Sequence, residues 1–182
     1  TMQTQKDLCL AHPKGGIMNI DVLSFGRLAY RVFEEVGQDA RVVLDDEGKN
    51  LVLRKIAGEC EKDLKVFKGN LKKQGYISEV KSVLSEFAQY GVDFERLDDF
   101  MKEVPPESYL HYKLDDIRTI YEKFEEYLSE KYITKEEMLD VLSDAVPYSD
   151  ILKGSVVAMD GFTGFTPVQN RLIGELFSVC EK

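Results

Sequence analysis

Ser155-Val156-Val157-Ala158-Met159-Asp160-Gly161-Phe162-Thr163-Gly164-Phe165-Thr166-Pro167-Val168-Gln169 is the stretch from which the fold is read. An apolar run closed by an aspartate has the length and bias of a strand buried on both faces. A Gly-rich turn follows. Thr166 then stands as an N-cap, with Pro167 at the first helical position and Gln169 at the third, and Leu172, Ile173, Leu176 and Phe177 form the apolar face of the helix. A strand that ends in Asp and leads through a loop into a helix has the layout of a Walker B element. At the carboxyl end of a buried parallel strand, a carboxylate faces the crevice where nucleotides bind and can hold Mg²⁺ through water. Asp160 can equally cap the Gly-rich turn. Gln169 can face a nucleotide or close a capping box on Thr166.

A second strand-helix unit is read at the other end of the chain. Residues 17–24 follow a Pro13/Gly15-Gly16 turn and read as a short strand. Ser24 caps a helix with Leu28, Val32, Phe33 and Val36 on its apolar face, and Gly37 ends it. Tyr30 is read as a packing residue. The two strands, near 18–23 and 155–160, are expected to run parallel. Open edges on such strands would favour self-association.

Between them the pattern is helical. Leu51, Leu53, Ile56, Cys60 and Leu64 give one stripe; Ile77, Val80, Leu84 and Phe87 give another, stopped by Gly91. Asp93 caps a helix with Phe94, Leu97 and Met101 inward, which ends before Pro105-Pro106. A long helix over about 108–131 carries Leu110, Leu114, Ile117, Tyr121, Phe124 and Leu128, and Thr134 with Glu137 forms a capping box for the next, which runs to Pro147.

The chain has 182 residues, 43% of them hydrophobic, so a packed core is expected rather than disorder. Its net charge of −9 opposes non-specific binding to DNA, so any nucleic-acid role needs a local basic patch. Lys62, Lys65, Lys68, Lys72 and Lys73 make the one concentrated basic run. Four of them share a face if a helix continues past Gly69; such a stripe can contact phosphates or simply be solvated. No apolar run approaches the roughly 20 residues that span a membrane. Cys9, Cys60 and Cys180 are widely spaced, and with His12 and His111 as the only histidines no metal site is indicated. Reduced thiols fit a cytoplasmic protein. The opening, Thr1-Met2-Gln3 followed soon by Gly15-Gly16, reads as the interior of a longer protein.

The segments Asp160-Gly161-Phe162 and Phe165-Thr166-Pro167 resemble the AddB/RexB variant of motif II in UvrD-like superfamily 1 helicases. Val22-Leu23-Ser24-Phe25-Gly26-Arg27-Leu28-Ala29 resembles the Ser-Phe-x-Arg-Leu-Ala segment of the same family, the counterpart of motif Ib. The resemblance covers essentially the whole chain. It implies a mostly α fold with a small parallel α/β part: a partial RecA-like P-loop motor domain (residues 1–39 and 150–182) interrupted by an inserted helical subdomain (residues 40–149). It implies degenerate motif II residues at Asp160, Gly161 and Gln169, and a DNA contact at Ser24, Phe25 and Arg27. No GxxxxGKS/T loop is present, and Gly161 stands where an active motor carries a Glu. The chain is therefore expected to be non-catalytic. ATP and Mg²⁺ would serve the parent helicase–exonuclease, which processes double-strand ends under Chi regulation. The implied partners are the A subunit, the remainder of the B subunit and DNA. A helical protein–protein interaction module with no nucleic-acid role is the alternative.

Overall fold

A computed structural model describes residues 2–37, 41–70, 73–129 and 131–182. Eight α-helices follow from local signals among them. α1 spans Met2–Ala11 and buries none of its residues. α2 spans Phe25–Val36; Ser24 accepts from the Arg27 N–H at its start, and Gly37, at φ 71°, closes it in the left-handed conformation that glycine adopts without strain. α3 (Asp46–Glu59) starts on Asp45, which accepts from the Gly48 N–H. α4 (Gln74–Tyr90) ends on Gly91. α5 (Phe94–Glu103) is capped by Asp93, and α6 (Tyr109–Leu128) by Ser108. α7 (Lys135–Ala145) and α8 (Pro167–Val179) both carry complete capping boxes, Thr134 with Glu137 and Thr166 with Gln169. Among the described residues no helix is long and apolar enough to cross a membrane.

The fold is mostly α with a small parallel sheet, as the sequence predicts, but the strands lie elsewhere. β1 (Val42–Leu44) pairs in parallel with β2 (Tyr132–Thr134), with Val43 opposite Ile133. Both fall within the stretch expected to be helical. Residues 18–23 and 155–160 join no ladder, and Met18 and Asn19 form a bend in which Asn19 takes φ 61°. A central strand needs neighbouring strands at its edges and a packed layer on each face. Ser155–Val157 instead makes two bonds to the chain end, Glu181 N–H to the Ser155 carbonyl and Val157 N–H to the Lys182 carbonyl, both 2.9 Å. Val156 points to solvent. The open edges on which the expected self-association rests are therefore not formed by these two segments.

Two hydrophobic cores result. One gathers Leu53, Ile56, Cys60, Ile77, Leu84, Leu97, Ile117, Ile120 and Phe124 from α3 to α6. The other gathers Ala29, Val32, Met138, Leu142, Leu152, Leu172 and Leu176, so α7 packs with α2 and α8. Some residues read as inward face out: Leu51, Leu110 and Phe177 are exposed, Phe177 because it sits about 100° round the helix from buried Leu176. Tyr30, read as packing, is 57% exposed.

Where the cores meet, the helices are joined by polar side chains. Lys49 on α3 is 3% exposed. Its ammonium donates to Glu136 on α7 at 2.7 Å and to Ser85 on α4 at 3.2 Å. Beside it, Glu125 on α6 approaches Glu137, which already accepts from the Thr134 N–H and hydroxyl. Burial, then the Glu137 charge and a hydrogen bond with it, push the Glu125 carboxyl up to about 7. A folded-state value raised above the ordinary carboxylate range gives stability that is full below about pH 4.5 and is lost as pH rises through about 7. Discounted for partial exposure, the loss is about 1 kcal/mol. Urea unfolding at pH 5 and pH 8 should show this fall, and Glu125→Gln should flatten it. An unchanged slope in that variant would assign the pH dependence to other groups.

Candidate nucleic-acid interface

Ser24, Phe25 and Arg27 lie at the start of α2. Ser24 is used as its cap, with the Arg27 N–H 3.4 Å from its hydroxyl oxygen. The cap fixes the helix start and leaves the Arg27 side chain in solvent. The Phe25 ring meets Phe162 at a centroid distance of 5.3 Å, and Phe162 meets Phe165 at 4.9 Å, within the range of favourable aromatic pairs. This tilted row of three rings joins the two segments that carry the motif resemblance, from opposite ends of the chain. Phe162 remains 47% exposed while holding both neighbours.

Gly161 makes the row possible. Its φ of 78° lies where side chains are strained, and the chain turns there to return Phe162 toward α2. Asp160 is exposed beside it. Among the described residues no group of three His, Cys, Asp or Glu side chains is placed to hold a metal ion. Gln169 takes the capping role of the two that the sequence leaves open: its side-chain oxygen accepts from the Thr166 N–H at 3.0 Å, and its own N–H donates to the Thr166 hydroxyl oxygen at 3.4 Å.

The basic run does not form a helical stripe. Residues 60–70 are turns, with Gly69 at φ 74°, and α4 begins only at Gln74. Lys72 lies outside the described residues. Lys62 and Lys68 are exposed, and Lys73 reaches Asn70 at 3.3 Å. Lys65 is committed within the molecule. Its ammonium donates to Asp115 at 2.9 Å, which raises it above the ordinary lysine value, and lies 4.7 Å from the centre of the Tyr112 ring. Its backbone is held as well. The carboxylate of Asp116 accepts from the N–H groups of Lys65, Val66 and Phe67 at 2.8, 2.7 and 2.8 Å. These successive N–H groups form an anion-binding nest, and Asp116 of α6, 1% exposed, fills it. Of the lysines that the sequence offered to phosphates, Lys65 is paired with an acid, while Lys62 and Lys68 stay exposed.

Sequence reasoning missed Lys49, Asp116 and Glu35. The first two carried a signal. Lys49 precedes Val52 and Leu53 by three and four positions, and Asp116 precedes Ile120 by four, so each is a charge set on an apolar stripe. Glu35 shows no such signal. It accepts from the Ser149 hydroxyl at 2.5 Å and from the Asp150 and Ile151 N–H groups at 2.9 Å each.

The model of the family described as "ADDB, N-terminal" matches residues 1–182. This chain belongs to that family. Among curated proteins it is 48% identical, over 97% of its length, to the B subunit of the ATP-dependent helicase/deoxyribonuclease of Lachnoclostridium phytofermentans. It is 36% identical over 97% of its length to the protein of the same name from Alkaliphilus metalliredigens, and 33% identical over its full length to that of Clostridium tetani. It spans 15–16% of the length of these relatives. In this member of the AddB N-terminal family, the aromatic row is where the two motif segments of the resemblance come into contact.

Proposed function

We propose that the chain is a DNA-handling part of the B subunit of an ATP-dependent helicase–exonuclease that processes double-strand ends for recombinational repair under Chi regulation. It carries no catalytic site of its own in this reading. Asp160, Gly161 and Gln169 are the remnant of a UvrD-like motif II whose glutamate is gone, and residues 1–39 and 150–182 are part of a RecA-like domain carrying the 40–149 insert. The A subunit and the remainder of the B subunit are its partners, ATP and Mg²⁺ act elsewhere in that complex, and the setting is the cytoplasm.

The observation that carries the proposal is the Phe25–Phe162–Phe165 row, in which Phe162 stays 47% exposed, on a helix whose Arg27 is also exposed. An exposed ring on a fixed scaffold stacks an unpaired base, and a guanidinium exposed on the same helix takes a phosphate of the strand. Single-stranded DNA is the ligand this chemistry suits, because bases in a duplex are already stacked.

A fluorescent single strand titrated into the complete helicase–nuclease without ATP, at fixed salt, tests it. Phe162→Ala should weaken binding about tenfold. Arg27→Ala should weaken it and reduce the salt slope by about one. Lys65→Glu should leave it within about twofold, since that lysine is already paired. Loss of binding on Lys65→Glu with none on Phe162→Ala would place the DNA on the 62–73 run instead.

A further inference from the structure

We infer that Glu35 is a positioning residue for the aromatic row, holding the segment that carries Phe162 against α2 at the end of that helix remote from Phe25; the inference rests on the DNA-contact reading above. Phe25 and Glu35 are ten residues apart on one helix, about 15 Å along its axis. At the near end, Phe25 packs on Phe162. At the far end, Glu35 takes three hydrogen bonds from Ser149, Asp150 and Ile151, partners up to 116 residues away in sequence. The chain from 149 to 162 therefore runs back along α2 and is fastened at both ends.

Between the fastenings, Leu152 is buried in the second core, and Met159 packs against it from the side. Two residues of this segment, Gly154 and Gly161, take the left-handed conformation, φ 69° and 78°. The path therefore depends on turns that bonds must hold in place. Among the described residues, Glu35 is the α2 side chain that bonds the start of this segment, and both of its carboxylate oxygens are used. Ser149, fully buried, donates to one oxygen, and two successive backbone N–H groups converge on the other. A carboxamide of the same size keeps one oxygen for the Asp150 and Ile151 N–H groups, but that oxygen is uncharged and accepts more weakly, and an NH2 group is set against the donating Ser149 hydroxyl. With the clamp weakened, the 149–161 path can shift along α2, and Phe162 loses its fixed place beside Phe25. Glu35 itself lies at the far end of α2 from the DNA surface, so its effect on binding is indirect.

The test uses the complete helicase–nuclease with 4-trifluoromethylphenylalanine at position 162, read by fluorine NMR alongside the single-strand titration. The unmodified Glu35 background should give one resonance displaced from that of the free amino acid by the Phe25 and Phe165 rings. Glu35→Gln should move that resonance toward the free value or split it, and weaken single-strand binding about fivefold, less than Phe162→Ala does. Ser149→Ala, which removes one of the three bonds, should move both readouts the same way by less. A resonance unmoved in Glu35→Gln overturns the inference, whether or not thermal stability falls, since a merely structural role would lower stability and leave the ring environment intact. Unchanged binding in Phe162→Ala overturns the DNA-contact reading itself, whereas unchanged binding in Glu35→Gln alone overturns only the positioning role.

Discussion

Replacing Lys49 with methionine should cost about 3–5 kcal/mol of folding stability, the loss characteristic of a buried ion pair with one partner removed. The ammonium sits at the junction of α3, α4 and α7, bonded to Glu136 and Ser85, with the two charged side chains 4% and 14% exposed. Methionine fills similar volume, so the loss is not a cavity effect; it comes from the Glu136 carboxylate, left without a countercharge in a place water barely reaches. The double variant Lys49→Met/Glu136→Leu removes both charges and should recover most of the loss. Urea titrations of the two variants make the check. A single variant within about 1 kcal/mol of the parent would mean that Glu136 turns out to solvent on its own and that the pair does not hold the two cores together.

Asp116→Ala should be comparably damaging, about 3–5 kcal/mol, because it strands the N–H groups of Lys65, Val66 and Phe67 in and beside the first core. Phe67 is itself a core residue and follows the loop, so the loss reaches Leu64 and Tyr76 around it. Asp116→Asn keeps one accepting oxygen and should lose about 1–2 kcal/mol. Limited proteolysis distinguishes local from global effects: cleavage between 62 and 70 should appear before general unfolding in either variant. If Asp116→Ala unfolds with the parent midpoint and resists cleavage there, the loop is held by Leu64 and Phe67 alone.

What the sequence disclosed follows the range of the interactions involved. The ends of α2, α5, α7 and α8 were legible because each is settled within four residues: Ser24, Asp93, Thr134 with Glu137, Thr166 with Gln169. The strands were not, because three residues are too few for a periodicity and β1 exists only through a partner at 132–134. The apolar run at 155–159 misled for the converse reason: its composition suits a central strand, while its backbone bonds reach the last two residues of the chain and no sheet. At the candidate site, Ser24, Phe25 and Arg27 and the 160–169 stretch came from motif resemblance, and the structure adds the ring contacts that join them. Lys65 looked available because the acids that hold its side chain and backbone, Asp115 and Asp116, lie about fifty positions downstream.

The placement of α2 has a consequence during synthesis. Its inner face, Ala29 and Val32, is covered by Met138, Leu142 and Leu172, which emerge more than a hundred residues later. At about 5–20 residues per second, a ribosome takes roughly 5–20 s to supply them. The first core, from α3 to α6, can close in that interval with what has already been made. For those seconds the twelve-residue α2 segment, too short to hold a stable helix alone, keeps its apolar residues open beside a folded neighbour until α7 arrives and covers them.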